Sequence, residues 1–189
     1  MTDEGLWERA AHCYEQAGVP VEAARCYREA RAFRRAGELY AREGLFADAA
    51  DAYEAGSQPW DAAWLLVHHL DDPSAARRVL FAEHRTTPRF LADLITLRCD
   101  IAEAAVGDPA PLFAEVRSAL AEVGPSAADP RVELWAVACA TALRRFDVAA
   151  LLFAASVTGR KPHAAHRWQA WSIAHLGAAP VLPESVRRD

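Results

Sequence analysis

The order of apolar and polar side chains repeats every thirteen residues through the first half of the chain. Tyr14, Tyr27, Tyr40 and Tyr53, all the tyrosines present, share that spacing. A pair of small residues recurs with them: Ala10-Ala11, Ala23-Ala24, Ala36-Gly37, Ala49-Ala50, Ala62-Ala63 and Ala75-Ala76. Self-similarity at a fixed period marks a repeat architecture. Within a unit the apolar positions fall at i, i+4 and i+7, as in Ala10, Tyr14 and Ala17, which is one face of a helix. Gly18, Gly44 and Gly56 stand where a left-handed residue ends a helix. Asp48, Asp61 and Ser74 precede the small pair, where an oxygen side chain caps a following helix. The spacing predicts one helix of about nine or ten residues per unit, roughly 14 Å long. Helices that short are marginal alone, so stacked neighbours must bury the Tyr and Ala stripe.

The second half is also helical, with longer periods. Phe90, Leu94, Leu97, Ile101 and Ala105 form a stripe ending near Gly107. Leu112, Val116, Leu120 and Val123 form a second, closed by Gly124-Pro125-Ser126. Residues 131–145 carry Val132, Trp135, Cys139 and Ala142. After a turn near Phe146-Asp147, residues 148–157 carry Leu151, Leu152 and Ala155. A last helix at about 163–176 stops at Gly177, and 178–189 reads as a tail. No strand pattern appears.

The units AAHCYEQAGVPVE and AGELYAREGLFAD resemble the Ala-Ala-x-Leu-Tyr-Glu-x-Ala-Gly helices of tetratricopeptide-like α-solenoids. The resemblance covers residues 5 to about 87. A weaker likeness follows, in which Ala149, Phe153 and Ser156 repeat the small-aromatic-small spacing of the second tetratricopeptide helix and Pro162 stands near its closing proline. The usual 34-residue unit and its Trp-x-x-Leu-Gly signature are absent. The resemblance implies an all-α, right-handed solenoid of about eleven antiparallel helices. It implies an array over 1–87, a longer-helix half over 88–177 and a tail over 178–189. Its expected role is a protein-interaction scaffold or adaptor that binds a peptide or partner helix.

Gly5-Leu6-Trp7-Glu8-Arg9 fits the tail of a unit, in register with Gly18-Val19-Pro20-Val21-Glu22 and Gly44-Leu45-Phe46-Ala47-Asp48, so the chain reads as starting mid-repeat. Either the first helix is its own cap, or a partner, a second copy or an upstream region covers this end. The outward positions are polar in the early units (His12, Glu15, Gln16, Arg25, Arg28, Glu29) and turn apolar in the later ones (Trp64, Val67, His68, Leu80, Phe81). A helix apolar on more than one face is covered on more than one face. The expectation is that these residues pack on the long helix beginning at Pro88 and join the halves into one domain; the rival is an exposed partner patch.

Composition narrows the classes. The 189 residues include 43 alanines, 20 arginines and a single lysine, Lys161, a bias that suits a helical protein from a GC-rich bacterial genome. The N-terminus is acidic, and no apolar run reaches the roughly 20 residues of a membrane span. A cytoplasmic, membrane-free protein is expected. Cys13, Cys26, Cys99 and Cys139 show neither disulfide nor zinc spacing. Residues 1–87 carry ten arginines against fifteen acids, and 88–189 carry eleven basic against eleven acidic side chains. Nucleic-acid binding usually needs a net basic face, so none is expected.

No phosphate-binding, nucleophile-elbow, metalloprotease or calcium-loop motif is present, and neither enzyme, cofactor nor metal is expected. Consecutive His68-His69 point to different helix faces, and Asp72-Pro73 reads as a cap. His163 and His166 lie one turn apart beside Arg160, Lys161 and Arg167, but their helix offers no carboxylate to complete a site. Candidate partner-binding residues are Arg28, Arg35 and Arg42 in the basic stretch, with Trp64, His68, Trp168 and Trp171. Arg28 and Arg35 would grip carboxylates or phosphates as bidentate forks if they faced one groove. Trp168, Trp171 and His175 form one stripe, read as core or as an aromatic cleft. The second functional expectation is a regulatory domain that binds a small molecule between the repeats and this Trp-bearing helix. A deep pocket with convergent Arg or His groups would favour it; an open groove would favour the scaffold.

Overall fold

A computed structural model describes residues 3–82, 90–123 and 129–180, with the backbone alone for Ala82. Among the described residues there are eleven helices and no strands: α1 (Asp3–Gln16), α2 (Pro20–Glu29), α3 (Phe33–Arg42), α4 (Phe46–Ala55), α5 (Pro59–His68), α6 (Pro73–Ala82), α7 (Leu91–Ala102), α8 (Ala110–Ala121), α9 (Pro130–Ala142), α10 (Phe146–Thr158) and α11 (Ala164–Leu176). The chain divides into two compact units. The first is Met1–Thr87 with Arg98–Glu103, the second Pro88–Leu97 with Ala104–Asp189. None of the described helices is long and apolar enough to cross a membrane.

In the first unit α1 to α6 pack in sequence, each on the next. The thirteen-residue period is visible in the backbone itself. The carbonyls of Tyr14, Tyr27, Tyr40 and Tyr53 accept from the amides of Val19, Ala32, Leu45 and Gln58 at 2.9, 2.8, 2.9 and 2.8 Å. Each bond closes one helix on the residue that opens the next, and a left-handed residue makes the turn. That residue is glycine at Gly18 and Gly44 (φ 72° and 75°), but Arg31 and Ser57 take the same place at φ 56° and 55°. Gly56, expected to make the turn, has φ −87°. It is small for another reason, since a Cβ there would meet the Phe33 Cβ at 2.9 Å.

The helices begin earlier than the small pairs suggested. The residues before α2, α3, α4 and α5 are Val19, Ala32, Leu45 and Gln58, none with a side-chain cap. Asp48 and Asp61 lie inside the first turns of α4 and α5, where a carboxylate opposes the positive end of the helix dipole. α6 is capped by Asp72, whose Oδ1 accepts the Ala75 amide at 2.8 Å, and not by Ser74. Gly5, expected in a turn, is helical, so α1 has 14 residues where α2 to α6 have 10. Asp3 and Glu4 occupy its first turn.

The small pairs sit mid-helix and let backbones approach. Ala23, Ala24, Ala36, Ala49, Ala62 and Ala63 are 0% exposed, with Tyr27 and Tyr40 at 0% and 3% filling the spaces between. Gly37 shows the limit of that approach: a Cβ there would lie 2.7 Å from the Tyr53 ring. Trp64 and Val67 of α5 are buried, whereas Phe81 of α6 is 74% exposed. The 98–103 stretch belongs to this unit and is anchored by charge. Arg77 Nη2 donates to Asp100 at 2.7 Å and to Glu103 at 2.9 Å, and these two bonds, Glu103 first, raise the guanidinium's pKa.

In the second unit α10 packs on both α8 and α9, with α11 on its far end in sequence. Its small-aromatic-small triplet Ala149, Phe153 and Ser156 is buried. Three boundaries are shorter than the pattern implied. α7 stops at Ala102, with Ala104 left-handed. α8 stops at Ala121, which leaves Val123 70% exposed. The turn before α10 is centred on left-handed Arg144, not on Phe146-Asp147. The breaker at Gly124-Pro125-Ser126, most of the tail, and Pro88, Arg85 and Arg89 lie outside the described residues.

Candidate functional site

Two concave surfaces carry convergent charge, one in each unit. In the first unit, a groove of about 520 Å³ is walled by Glu8, Phe33, Arg31, Arg34, Arg35 and Gln58, with small residues between. Helix α1 brings Glu8, and the left-handed turn before α3 presents Arg31. The first turn of α3 brings Arg34 and Arg35. Arg35 is held from three sides: its Nη1 lies 3.7 Å from Glu8 Oε1 and 3.5 Å from His12 Nε2, and its guanidinium carbon is 5.5 Å from the Tyr27 ring centroid. Beneath it Tyr27 donates its hydroxyl to Glu15 Oε2 at 2.6 Å. Burial first, and then this bond to Glu15, raises the phenol pKa. Three arginines and one acid line this groove, although the surrounding repeat is acidic overall; Arg35 lies nearest Glu8, and Arg34 Nε lies 3.9 Å from Glu38 Oε1 on its own helix.

The expected pairing of Arg28 with Arg35 takes another form. Arg28 and Arg42 are exposed and do not line the groove; Arg31 and Arg34 accompany Arg35 instead. A helical wheel separates Arg31 from Arg35 less clearly than the structure joins them, because the chain turns at Arg31 and a new helix begins.

The His68-His69 pair belongs to an aromatic cluster. The His68 ring stacks on Trp64 with centroids 4.7 Å apart, and His69 stacks on Phe46 at 3.8 Å. Arg98 Nε donates to His68 Nδ1 at 3.3 Å, so the neutral imidazole is the acceptor. Desolvation first, then His69 and Arg98, lowers the His68 pKa to about 4. Among the described residues no group of three His, Cys, Asp or Glu is placed to hold a metal.

In the second unit Trp171 is buried, and its Nε1–H donates to Thr141 Oγ1 at 3.0 Å. Its ring lies 5.7 Å from Phe153, and Trp168 stacks on the same Phe153 at 6.4 Å. Trp171 thus packs between α9, α10 and α11, while Trp168 is half-buried on α10.

A larger concavity of this unit lies at the start of α11. It is a cleft of about 670 Å³ whose wall includes Leu120, Pro130, Glu133, Arg160, Lys161 and Arg167. The starts of α9 and α11 both face it, Pro130 and Glu133 belonging to the first and Arg167 to the second. The 159–163 turn is pressed onto the end of α8: Lys161 Nζ donates to the Glu122 carbonyl at 3.0 Å, and a Cβ at Gly159 would strike the Leu120 carbonyl oxygen. Arg160 and His163 are left-handed at φ 53° and 56°. The carboxylate absent from α11 is supplied across the cleft by Glu133, which is 2% exposed. Arg167 Nε donates to Glu133 Oε1 at 2.6 Å, and its Nη1 to the Pro162 carbonyl at 2.7 Å. The second oxygen, Oε2, has no hydrogen-bond partner among the described residues.

Glu133 was not legible as a site residue. It lies between Val132 and Leu134 on a helix buried over most of its surface, and Leu134 is 50% exposed while the acid is inside. The Arg167 guanidinium, brought opposite by the fold, compensates the buried charge.

No protein-family model, no curated protein and no solved structure matches the chain.

Proposed function

We propose that the chain is a non-enzymatic interaction module, a right-handed tetratricopeptide-like array in the cytoplasm that binds a peptide or partner helix. The observation that supports this most is the first-unit groove. It is open, and Arg31, Arg34 and Arg35 outnumber its single acid, Glu8. An extended segment bearing Asp or Glu side chains satisfies those guanidinium groups as bidentate acceptors. Arg35, already oriented by Tyr27, His12 and Glu8, loses little side-chain freedom on binding, which reduces the entropic cost of association. The acidic surroundings oppose nucleic acid and leave a local basic slot to select its partner. The exposed Leu6, Trp7 and Tyr14 of α1 fit a second contact, covered by a partner helix or another copy.

A photo-crosslinking amino acid at Ser57, on the groove wall, tests the reading in cells. Amine-reactive reagents are unsuited to a chain with one lysine. A discrete partner should crosslink at Ser57 and disappear when Arg31 and Arg34 become Glu. Equal yields from Ser57 and from exposed Ala47, unaffected by charge reversal, would end the scaffold reading.

The second unit favours a different role, binding of a small ligand in the cleft at Glu133 and Arg167. The observation behind it is the buried Glu133 oxygen left unpaired in a wall that also carries Arg160, Lys161 and Arg167.

A further inference from the structure

The second-unit cleft has an uneven electrostatic floor. α11 starts with no acidic residue in its first turn and no side-chain cap on its amides. The positive end of its dipole therefore adds to Arg160, Lys161 and Arg167, and the sum calls for an anion. Lys161 and Arg167 each spend one bond on a carbonyl, at Glu122 and Pro162; these bonds leave their charge and further N–H groups to the cleft. Arg160 is exposed.

A simple anion does not satisfy the whole wall. Glu133 is negative and nine-tenths or more buried, and its Oε2 lacks a donor. A buried carboxylate oxygen without a partner is costly, and it repels a phosphate dianion. Asp129 does not share this demand, because it caps α9 and is bound by Arg131 at 2.9, 3.0 and 2.7 Å. The occupant thus carries a carboxylate for the start of α11 and a charged donor for Glu133. Pro130 and Pro162, both exposed, offer apolar surface between. The 670 Å³ space lies in the range of small-ligand pockets, about 300–1,000 Å³.

We infer that this cleft binds a small zwitterion, a free amino acid or short peptide, with its carboxylate at Arg160, Lys161 and the α11 N-terminus and its ammonium on Glu133 Oε2. The inference rests on the small-ligand reading of the second unit and is independent of the peptide groove in the first.

Isothermal titration with L-leucine, the dipeptide Leu-Leu, N-acetyl-Leu-Leu and Leu-Leu amide tests it. Leucine or Leu-Leu should bind, the two arms separating amino acid from peptide. Removing either charge should weaken the dipeptide at least about tenfold. Arg160→Ala, at an exposed position, should weaken both Leu-Leu and its acetylated form. Glu133→Gln should weaken Leu-Leu and leave the acetylated form unchanged, with circular dichroism reporting that the variant is folded. If Glu133→Gln does not fold, the acetylated and amide ligands on the unmodified chain decide the matter. Equal binding of Leu-Leu and N-acetyl-Leu-Leu would overturn the zwitterion and preserve the small-ligand reading. Binding of none of the four at millimolar concentration would overturn both.

Discussion

Tyr14 and Tyr27 hold the same place in successive repeats, yet one is 41% exposed and the other 0%. Replacing each with Ala measures what stacking adds, with the local sequence pattern held constant. At Tyr27 the change removes a fully enclosed ring from among Ala11, Ala24 and Ala36, residues too small to collapse into the space. Large-to-small core changes of this kind cost about 3–5 kcal/mol. The hydroxyl adds a bond to Glu15, whose side chain is 38% exposed; solvent reduces that bond to about 1 kcal/mol. Tyr27→Phe should therefore lose about 1 kcal/mol and Tyr27→Ala about 4 kcal/mol. Tyr14→Ala, with much of the ring already in water, should lose about 1 kcal/mol or less. Urea unfolding followed by far-ultraviolet circular dichroism gives all three values, and an unchanged slope with denaturant verifies that the same transition is compared. Losses at Tyr14 and Tyr27 that agree within about 0.5 kcal/mol would refute the register, since the two rings would then be equally covered.

Gly37→Ala gains about 1 kcal/mol of helix propensity but drives a methyl into the Tyr53 ring, and overpacking of about 1–3 kcal/mol should win; a stabilised variant in urea unfolding would contradict the close approach. Gly159→Ala should be worse, about 3 kcal/mol, because the atom it meets is the Leu120 backbone oxygen and no rotamer relieves it; a change in unfolding midpoint too small to measure would mean that the 159–163 turn does not press on α8. His68 titrates near 4 when folded and at 6.5 when unfolded. Between those values the unfolded chain binds more protons, so stability should fall as pH drops from 6.5 towards 4. His68→Gln should flatten that slope in urea midpoints taken across the window, and an unchanged slope would remove His68 as its source.

How much of this was legible depended on whether the signal was local. The thirteen-residue period yielded the helix lengths of α2 to α6; in α2, α3 and α4 the closure is local, each helix ending on its own tyrosine carbonyl within five residues. The helix starts were misplaced by three residues for the same local reason. Side-chain caps were expected before the alanines, whereas Schellman-type closures carried one helix into the next and made such caps unnecessary. Arg31 and Ser57 at left-handed turns were hidden because residues other than glycine tolerate that region when the closure compensates. Arg35 was singled out by its basic neighbourhood. Its orientation by Tyr27, fifteen residues from His12 along the repeat, required the stack.

The sequence alone determined that this chain is helical, that its first half is built of equal units, and which face of each unit is apolar. These are consequences of backbone propensity and side-chain period, which act over a turn or two. Only the tertiary structure decided that Glu133 faces Arg167 across 34 residues of chain at 2.6 Å and that Arg31, Arg34 and Arg35 line one groove with Glu8. It also decided that Trp171 is interior. Each of these depends on which helix lands beside which, and burial converts that adjacency into an energetic demand: a carboxylate is unremarkable in water and requires a partner once neighbouring helices have taken the water away.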